Sequence, residues 1–484
     1  MGAAAAAASG RPAATRPPVA PAASYSLPAP GSDSHFDLVV IGSGPAGQKC
    51  AIDAAKKGKR VCVVDKVGMF GGVCIHTGTI PSKTFREAIL HVTAHNQRGF
   101  GGEVMARSAT LSRDVLDRVK KVEQWETETI LRQLHRNKVM TIAGTARFID
   151  QQHIEVRTDS LSHAQAGHTK LSSLGSGAVT PVLAANAVSG SSPFTVAGSG
   201  HTAPAGPIPS AGLDNPSASS FSTSHVIRGD KFLIAAGSRP VRNPNYPWHS
   251  PLVFDSDAIL SNPTWGEIKQ LIVVGAGVIA LEYASMFNTL PNCKVTIIDE
   301  RPSFLDFIDG EIVDTLKYVM RRQGATFLLG EKVNKVTILP SQSGGGAGAQ
   351  QVRVDLDSGK DVVGDALFYA VGRQAESDSL NLDAAKVSLG KRGLIPVNEF
   401  FQTNVPHIYA SGDIIGFPAL ASTSMEQGRL CSQHMFGKAT KMKPVFPYGI
   451  YTIPEISVVS DTDRRAQWAN DEGFAQLCSH SRAV

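Results

Sequence analysis

Two stretches of the chain share one pattern of apolar and polar positions. Residues 36–66 read FDLVVIGSGPAGQKCAIDAAKKGKRVCVVDK, and residues 270–301 read QLIVVGAGVIALEYASMFNTLPNCKVTIIDER. In each, a short apolar run ends in a glycine turn, a helical stretch with small residues follows, and a second apolar run closes the unit. The pattern predicts a buried strand, a helix and a second buried strand, as in a parallel α/β sheet.

The first turn has the glycine spacing of a dinucleotide-binding fold. Gly42, Gly44 and Gly47 form G-x-G-x-x-G directly after the apolar run. The first glycine permits a tight turn, the second lets a pyrophosphate approach the backbone, and the third lets helix and strand pack closely. Asp65 closes the next strand, where a carboxylate can accept both hydroxyls of an adenosine ribose. We expect the phosphates at the helix N-terminus.

The second turn repeats this arrangement. It contains Gly275, Gly277 and Ala280, and Asp299 ends the strand that follows. A single glycine motif is weak evidence, because glycine turns are common in proteins. Two copies, each between a strand and a helix and each followed by a terminal acid, predict two dinucleotide sites.

Two further apolar runs end in turns that a simple dehydrogenase does not need. FLIAAGSRP contains Gly237, and IYASGDIIG brings Gly412 and Asp413 into a turn. Beside the first glycine unit, this carboxylate and the free backbone N–H groups fit the ribitol of a flavin. Taken alone, the same segment reads as a surface turn, so the residues themselves leave both interpretations open.

Composition narrows the possible functions. With 484 residues, 42% of them apolar, the chain can bury large cores in two or three domains. A net charge of only +5, without long charge runs, argues against nucleic-acid and membrane-surface partners. No apolar run approaches the ~20 residues that span a bilayer. Six scattered cysteines argue against a disulfide framework and a metal site, and favour a reducing compartment.

Low-complexity segments interrupt the pattern. Residues 1–35 are rich in Ala, Pro and Ser, which is typical either of an organellar transit peptide or of a low-complexity tail with no targeting function. The first alternative predicts the mitochondrial or plastid matrix, and the second the cytoplasm. We predict a disordered insertion at residues 160–224, between HIEVRT and KFLIAAG as two strands of one sheet. Residues 340–350 are a smaller hairpin extension.

The order of the motifs resembles a known enzyme family. GSGPAG, GGVC…GTIPSK, AAGSRP, GAGVIALEYAS, YAVGRQ and ASGDIIG follow one another as in the FAD-dependent pyridine nucleotide-disulfide oxidoreductases. Within that family, C-x-H-x-GTIPSK and GIYTIPEIS most resemble the soluble pyridine nucleotide transhydrogenases. The resemblance extends over roughly residues 36–454. It implies an α/β fold with two Rossmann-like domains, FAD on the first and NAD or NADP on the second.

The segment GGVCIHTGTIPSK departs from the disulfide-using relatives. Cys74 matches one redox cysteine, but Thr79 stands where the second is expected. A threonine hydroxyl cannot donate electrons to a flavin, which leaves a second nicotinamide as the partner of reduced flavin. The resemblance then implies ping-pong hydride exchange between NADPH/NADP+ and NADH/NAD+ without a redox disulfide, and Thr79 is a predicted catalytic residue.

Lys83 and Glu282 are the other predicted catalytic residues. In the family the matching lysine approaches the N5 edge of the flavin and pairs with a glutamate of the helix that follows the second glycine motif. The resemblance therefore also makes Lys83 a predicted cofactor-binding residue. From the residues alone, both could be ordinary solvated helix residues. We assign no catalytic role to Cys74 or His76, since hydride exchange needs no general acid.

Asp299 and Arg301 predict how the second site accepts both coenzymes. The acid can bind a ribose 2′-hydroxyl and the guanidinium a 2′-phosphate. A charged exposed loop is the alternative interpretation.

The expected domain organisation follows the family. It comprises a tail (1–35), an FAD-binding domain (36–253), an NAD(P)-binding domain (254–372), a return to the FAD-binding domain (373–445) and a remnant of the dimerisation domain (446–484). The family implies a homodimer, but so short a remnant leaves dimerisation and activity open. Alternatives are a dihydrolipoamide dehydrogenase-like or diaphorase flavoprotein, and a catalytically weak flavin-binding interaction protein.

Overall fold

The computed structural model describes residues 34–97, 108–158, 223–262, 265–340, 350–437, 439–442 and 446–459. The α-helices in these ranges are α1 (Pro45–Lys56), α2 (Val73–His76), α3 (Thr79–Gln97), α4 (Ser108–Arg136), α5 (Val278–Thr289), α6 (Gly310–Arg322) and α7 (Ala421–Phe436). None of these described helices is long and apolar enough to cross a membrane.

The strands of the same ranges complete the element order. They are β1 (His35–Phe36), β2 (Leu38–Ile41), β3 (Val61–Asp65), β4 (Met140–Ala143), β5 (Thr145–Phe148), β6 (His153–Thr158), β7 (Thr223–Gly229), β8 (Phe232–Ile234), β9 (Ser238–Pro240), β10 (Val253–Asp255), β11 (Gln270–Val274), β12 (Lys294–Asp299), β13 (Thr326–Leu329), β14 (Val333–Pro340), β15 (Gln350–Leu356), β16 (Asp361–Gly364), β17 (Ala366–Tyr369), β18 (Arg373–Ala375), β19 (Ile408–Ala410), β20 (Tyr448–Ile450) and β21 (Ile456–Val458).

The first large sheet is parallel, with the strand order β19, β8, β2, β3, β4. Every residue of β2 and β8 is buried, which explains why these strands read as continuous apolar runs rather than as alternating patterns. Helix α1 follows β2 and packs against α7. Because β19 lies in this sheet, the chain returns to it after building the second sheet.

The second large sheet is also parallel, with the order β10, β17, β11, β12, β13. Helix α5 connects β11 to β12 and is buried from Ala280 to Asn288. Each sheet therefore begins with the strand, helix and strand of one glycine unit. The predicted α/β fold with two Rossmann-like units is confirmed.

One expectation about the connection between strands is wrong. The strand β7, which the pattern does not predict, lies between β1 and β6 in a separate four-stranded sheet. The strand HIEVRT (β6) is thus in that sheet, whereas KFLIAAG supplies β8 of the first large sheet. Thr223 and Ser224, the last residues of the predicted insertion, belong to β7, and the rest of the insertion lies outside the described residues.

The smaller extension joins two paired strands. β14 and β15 are antiparallel, with Pro340 opposite Gln350. The nine intervening positions, like the predicted tail up to Asp33, lie outside the described residues.

The C-terminal described segment is a short hairpin. Residues 451–455 connect β20 to the antiparallel β21 and contain the cis Ile453–Pro454 bond. Ile450, Ile456 and Val458 are buried in the same apolar cluster as α5. This hairpin therefore packs on the helix of the second glycine unit.

Candidate active site

The first glycine turn has no room for side chains where the chain crosses itself. Gly42 has φ +100°, and a Cβ there would lie 2.2 Å from the carbonyl oxygen of Ala235. At Gly47 a Cβ would lie 2.0 Å from the Gly42 carbonyl oxygen. Gly44 caps α1, and no atom lies within 4 Å of its Cβ position. The turn is thus tightly packed at Gly42 and Gly47 but open at Gly44, the N-terminus of α1. This arrangement leaves room for a pyrophosphate at the helix N-terminus.

Asp65 holds this turn in place. Its Oδ2 accepts hydrogen bonds from the backbone N–H and the hydroxyl of Ser43, at 2.6 Å and 2.5 Å. Its Oδ1 accepts one from the backbone N–H of Lys66 at 2.7 Å. Burial raises the pKa of Asp65, and the bonds from Ser43 offset this only in part. A carboxylate has lone pairs left for ribose hydroxyls, so Asp65 fits the predicted contact, while the role of Ser43 was not predicted.

A cavity of about 350 Å³ begins at this turn. Besides Gly44 and Asp65, it is lined by Gly237, Gly412 and Asp413. Gly237 and Gly412 have φ +75° and +81°, a backbone conformation that favours glycine. The loops that the sequence singles out therefore surround one cavity. Its open glycine turn suits the pyrophosphate of FAD, Asp65 suits the adenosine ribose, and Asp413 suits the ribitol.

Arg373, which sequence reasoning missed, contacts two residues that line this cavity, Asp257 and Ser238. Its Nη1 lies 3.1 Å from the Asp257 carboxylate, and its Nε donates to the Ser238 hydroxyl at 2.8 Å. That hydroxyl donates in turn to Asp413 at 2.8 Å. The residue stands in the quoted YAVGRQ motif, which was the available signal.

The second glycine turn has the same construction. Gly275 has φ +106°, and a Cβ there would lie 2.5 Å from the Ala370 carbonyl oxygen. Gly277 caps α5 and has open space at its Cβ position, while Ala280 is fully buried. This repeat supplies a second helix N-terminus open to a pyrophosphate.

Asp299 and Arg301 form an ion pair beside this turn. Arg301 donates to the carboxylate from Nε at 2.9 Å and from Nη2 at 2.8 Å. The backbone N–H of Ala276 also donates to Asp299, at 2.6 Å. Burial by itself would raise the pKa of Asp299, but the bonds from Arg301 and Ala276 lower it below its ordinary value.

A larger cleft of about 1180 Å³ runs along the second turn. Gly275, Gly277, Asp299 and Arg301 line it. Thr79 lines both this cleft and the smaller cavity, as does Asp413. The two predicted dinucleotide sites therefore meet beside Thr79, at the start of α3.

Lys83 and Glu282 face each other across the cleft wall. The Lys83 Nζ lies 2.9 Å and 3.1 Å from the two Glu282 carboxylate oxygens, joining α3 to α5. Glu282 is almost fully buried, and its Oε1 also accepts the backbone N–H of Tyr451 at 2.8 Å. The Tyr451 ring lies 4.4 Å from the Lys83 Nζ. Sequence reasoning missed Tyr451, although it stands in the quoted GIYTIPEIS.

Cys74 has a hydroxyl, not a sulfur, as its neighbour. Burial raises the pKa of the Cys74 thiol, and the nearby Thr79 side chain offsets the rise only in part. The described residues contain five cysteines, all free: Cys50, Cys62, Cys74, Cys293 and Cys431. Nor does this part of the chain hold a group of three or more His, Cys, Asp or Glu side chains suited to a metal ion.

His76 lies between two acceptors. Its Nδ1 is 2.6 Å from Glu123 Oε1 on α4, and its Nε2 is 3.0 Å from the Phe70 carbonyl oxygen. Burial alone would lower the pKa of His76, but these two contacts raise it above its ordinary value. The imidazolium form can donate to both oxygens at once, so the ring ties α2 to α4.

Comparison with known proteins agrees with this geometry. A family model described as pyridine nucleotide-disulphide oxidoreductase matches residues 36–182 and 213–428. The chain belongs to this family. Membership in the pyridine nucleotide-disulphide oxidoreductases makes it a flavoprotein oxidoreductase and implies binding of FAD and a nicotinamide coenzyme.

Two relatives of this oxidoreductase carry the same name. The soluble pyridine nucleotide transhydrogenase of Mycobacterium bovis (strain BCG / Pasteur 1173P2) is 39% identical over 431 residues, which is 89% of this chain and 77% of the relative. That of Serratia proteamaculans (strain 568) is 35% identical over 432 residues, with the same coverage. The solved HOCl-induced flavoprotein disulfide reductase RclA from Escherichia coli superimposes with a TM-score of 0.65 at 23% identity, covering 90% of this chain and 79% of that one, and shows the shared fold.

Proposed function

We propose that this oxidoreductase exchanges hydride between NADPH/NADP+ and NADH/NAD+ in a ping-pong reaction that uses no redox disulfide. The observation that carries the proposal is the position of Thr79, which lines both cavities and lies with Cys74 on the wall of the smaller one. Because Thr79 supplies a hydroxyl at this position, Cys74 lacks the second sulfur that a redox disulfide needs. The name printed for the two curated relatives, soluble pyridine nucleotide transhydrogenase, supports the same reaction.

The residues at the junction suit this chemistry. FAD, when bound, would accept a hydride from one nicotinamide coenzyme and return it to another. Lys83 can place a positive charge beside a ring that becomes negative, since Glu282 fixes its ammonium from the opposite helix. Glu282 is itself held by a backbone N–H, so the pair stays in one position. A charge held in position by a nearly buried partner stabilises developing charge more strongly than one that moves freely in water.

The bound group would be held at both ends by residues of the first unit. Asp65 would accept the adenosine ribose hydroxyls, and Asp413 those of the ribitol. Gly42, Gly44 and Gly47 would leave the backbone open to the pyrophosphate.

The cleft of the second unit would hold the nicotinamide coenzymes one after the other. Gly275 and Gly277 repeat the turn geometry of the first unit, with the buried Ala280 beside them, and this turn would hold the pyrophosphate. Asp299 can accept a 2′-hydroxyl from NAD(H), and Arg301 can bind the 2′-phosphate of NADP(H). We extend the proposal to the domains: 36–253 with 373–445 bind FAD, 254–372 bind NAD(P), and 446–484 belong to a dimerisation domain.

The test is an anaerobic assay of the purified holoenzyme. NADPH should bleach the flavin and reduce the thio-analogue of NAD, and varying both coenzymes should give parallel double-reciprocal lines. Lipoamide and glutathione disulfide should not be reduced. Rapid lipoamide turnover, or intersecting lines, would contradict the proposal.

A matched pair of lysine variants sharpens this test. Lys83→Met should lower the exchange rate at least about ten-fold, because it removes a fixed charge beside the reacting ring. Lys441→Met is the control: its ammonium also pairs with a carboxylate, that of Glu399 at 2.8 Å, but it lines neither cavity. Equal activity in the two variants would remove Lys83 from the mechanism.

A further inference from the structure

The hairpin of β20 and β21 is fastened to the two helices that carry the ion pair. The buried Arg86, one turn after Lys83 on α3, donates two hydrogen bonds to the Thr452 carbonyl oxygen, at 3.3 Å and 3.1 Å. Ser285, one turn after Glu282 on α5, accepts the Ile453 backbone N–H at 3.0 Å. The connection between the strands is therefore fixed by hydrogen bonds from both helices.

This anchoring directs one aromatic side chain at the ion pair. The backbone N–H of Tyr451 donates to Glu282 at 2.8 Å, while its ring lies over the Lys83 ammonium at 4.4 Å from the centroid. Gly449 leaves space for that ring, since a Cβ there would lie 3.3 Å from the Tyr451 Cε2. One residue thus contacts both members of the pair, by two different groups.

The rest of the Tyr451 ring borders the coenzyme cleft. The side chain lines the cleft, and 42% of its surface is exposed. An exposed aromatic face beside a fixed positive charge suits a flat heteroaromatic ring. The nicotinamide is the flat ring common to both coenzymes of the proposed exchange.

We propose that Tyr451 is a positioning residue of the exchange site, whose ring holds the Lys83 ammonium against Glu282 and forms the wall on which the nicotinamide ring of either coenzyme lies. This inference rests on the proposed function. It assigns to the C-terminal hairpin a direct part in coenzyme binding, although residues 448–458 lie beyond the segments that the family model matches.

The first test measures how far the Tyr451 ring shields the Lys83 ammonium from a reagent, and it does not require catalytic turnover. Holoenzyme is treated briefly with an acetylating reagent, and modification of Lys83 is followed by peptide mass spectrometry. Tyr451→Leu should raise its acetylation rate about three-fold or more, whereas Tyr451→Phe, which keeps the ring face, should stay near the wild-type rate. Lys441 provides the internal standard. Tyr318→Leu, which removes another exposed tyrosine outside the cleft, should leave Lys83 unchanged.

The second test separates the nicotinamide end from the adenosine end. Tyr451→Leu should weaken binding of NADH and NADPH by the same factor, about three- to ten-fold, and leave ADP-ribose within about two-fold of wild type. Binding of these probes is measured by calorimetry, so the outcome does not depend on whether exchange occurs. Gly449→Ala, which crowds the ring without removing it, should shift Lys83 acetylation in the same direction and serves if the leucine variant fails to fold.

An unchanged Lys83 acetylation rate in folded Tyr451→Leu, or in Gly449→Ala where the leucine variant does not fold, would overturn the positioning role. Equal weakening of ADP-ribose and NADH would overturn the nicotinamide contact. Failure of thio-NAD reduction in wild-type protein, with these binding results intact, would instead contradict the proposed function alone.

Discussion

Arg301 holds Asp299 with two hydrogen bonds at the edge of the coenzyme cleft, 2.9 Å from Nε and 2.8 Å from Nη2. The carboxylate is nearly buried, whereas about half of the guanidinium side chain is exposed. A ribose 2′-hydroxyl can donate to Asp299 while this pair stays intact. A 2′-phosphate needs the positive charge of Arg301, because Asp299 alone would repel it.

Removing the Arg301 side chain should therefore weaken the binding of NADPH much more than the binding of NADH. Arg301→Ala should weaken NADPH binding about ten-fold or more, the range of a lost charged hydrogen bond of ~1.5–3 kcal/mol, and change NADH binding little. Direct binding measurements check this. Arg322→Ala, at an exposed position of α6, is the control. Equal weakening of both coenzymes in Arg301→Ala would point to a folding defect, and no change in either would place the phosphate elsewhere.

The first site should depend on the charge of Asp65. Asp65→Ala removes the acceptor for the ribose hydroxyls, each charged hydrogen bond contributing ~1.5–3 kcal/mol, and should yield largely apoprotein. Asp65→Asn retains an acceptor for the Ser43 bonds, so it tests the charge without dismantling the turn. Flavin per polypeptide is read from the visible spectrum, with the exposed Asp314→Ala as control. Full flavin content in both Asp65 variants would show that another group binds the ribose.

The His76 contact should make stability depend on pH. Because its folded pKa is raised, His76 stabilises the fold below its unfolded pKa of about 6.5, and this contribution is lost as the pH rises through the folded value. His76→Gln should therefore lower the melting temperature more at pH 6 than at pH 9.

His135 supplies an internal control of opposite sign. Burial lowers its pKa, so this residue opposes folding as the pH falls. The melting-temperature change caused by His135→Gln should be more favourable, or less unfavourable, at pH 6 than at pH 9. The same pH trend in both variants would contradict the assignment of His76.

The segment between β6 and β7 should be dispensable for the flavin site. These strands are neighbours in one sheet, with β6 ending at Thr158 and β7 beginning at Thr223. Replacing residues 159–222 by a short turn such as Asn-Gly should leave flavin content and melting temperature nearly unchanged. A large loss of folded protein would show that the deleted residues contribute to the core.

The parts of the site that sequence predicts are those determined by local geometry. Gly42 and Gly275 are required where the backbone has a positive φ and touches another carbonyl, and such positions leave a spacing that can be read directly. β2 is apolar throughout, and β11 is apolar after its exposed first residue Gln270, because both faces of a parallel sheet are buried.

The parts that sequence does not predict depend on contacts between distant segments. Tyr451 contacts Lys83 because its hairpin is anchored on two helices. The pattern of apolar and polar residues does not predict such a contact between distant segments. β7 is missed since it follows a long low-complexity segment rich in Ser, Gly and Ala, and its own apolar and polar residues alternate only weakly. The Lys83–Glu282 contact was expected from family resemblance, not from spacing, because the two residues lie on different helices.

The central claim is that hydride passes between the two coenzymes without a redox disulfide, and the Cys74→Ser holoenzyme tests it most directly. Serine keeps a hydrogen-bonding group beside Thr79 but removes the sulfur. The rate of thio-NAD reduction by NADPH should remain within about two-fold of wild type, because no electron passes through a thiol. A fall of about 100-fold at full flavin content would contradict the account, since it would mean that the reaction requires the Cys74 sulfur.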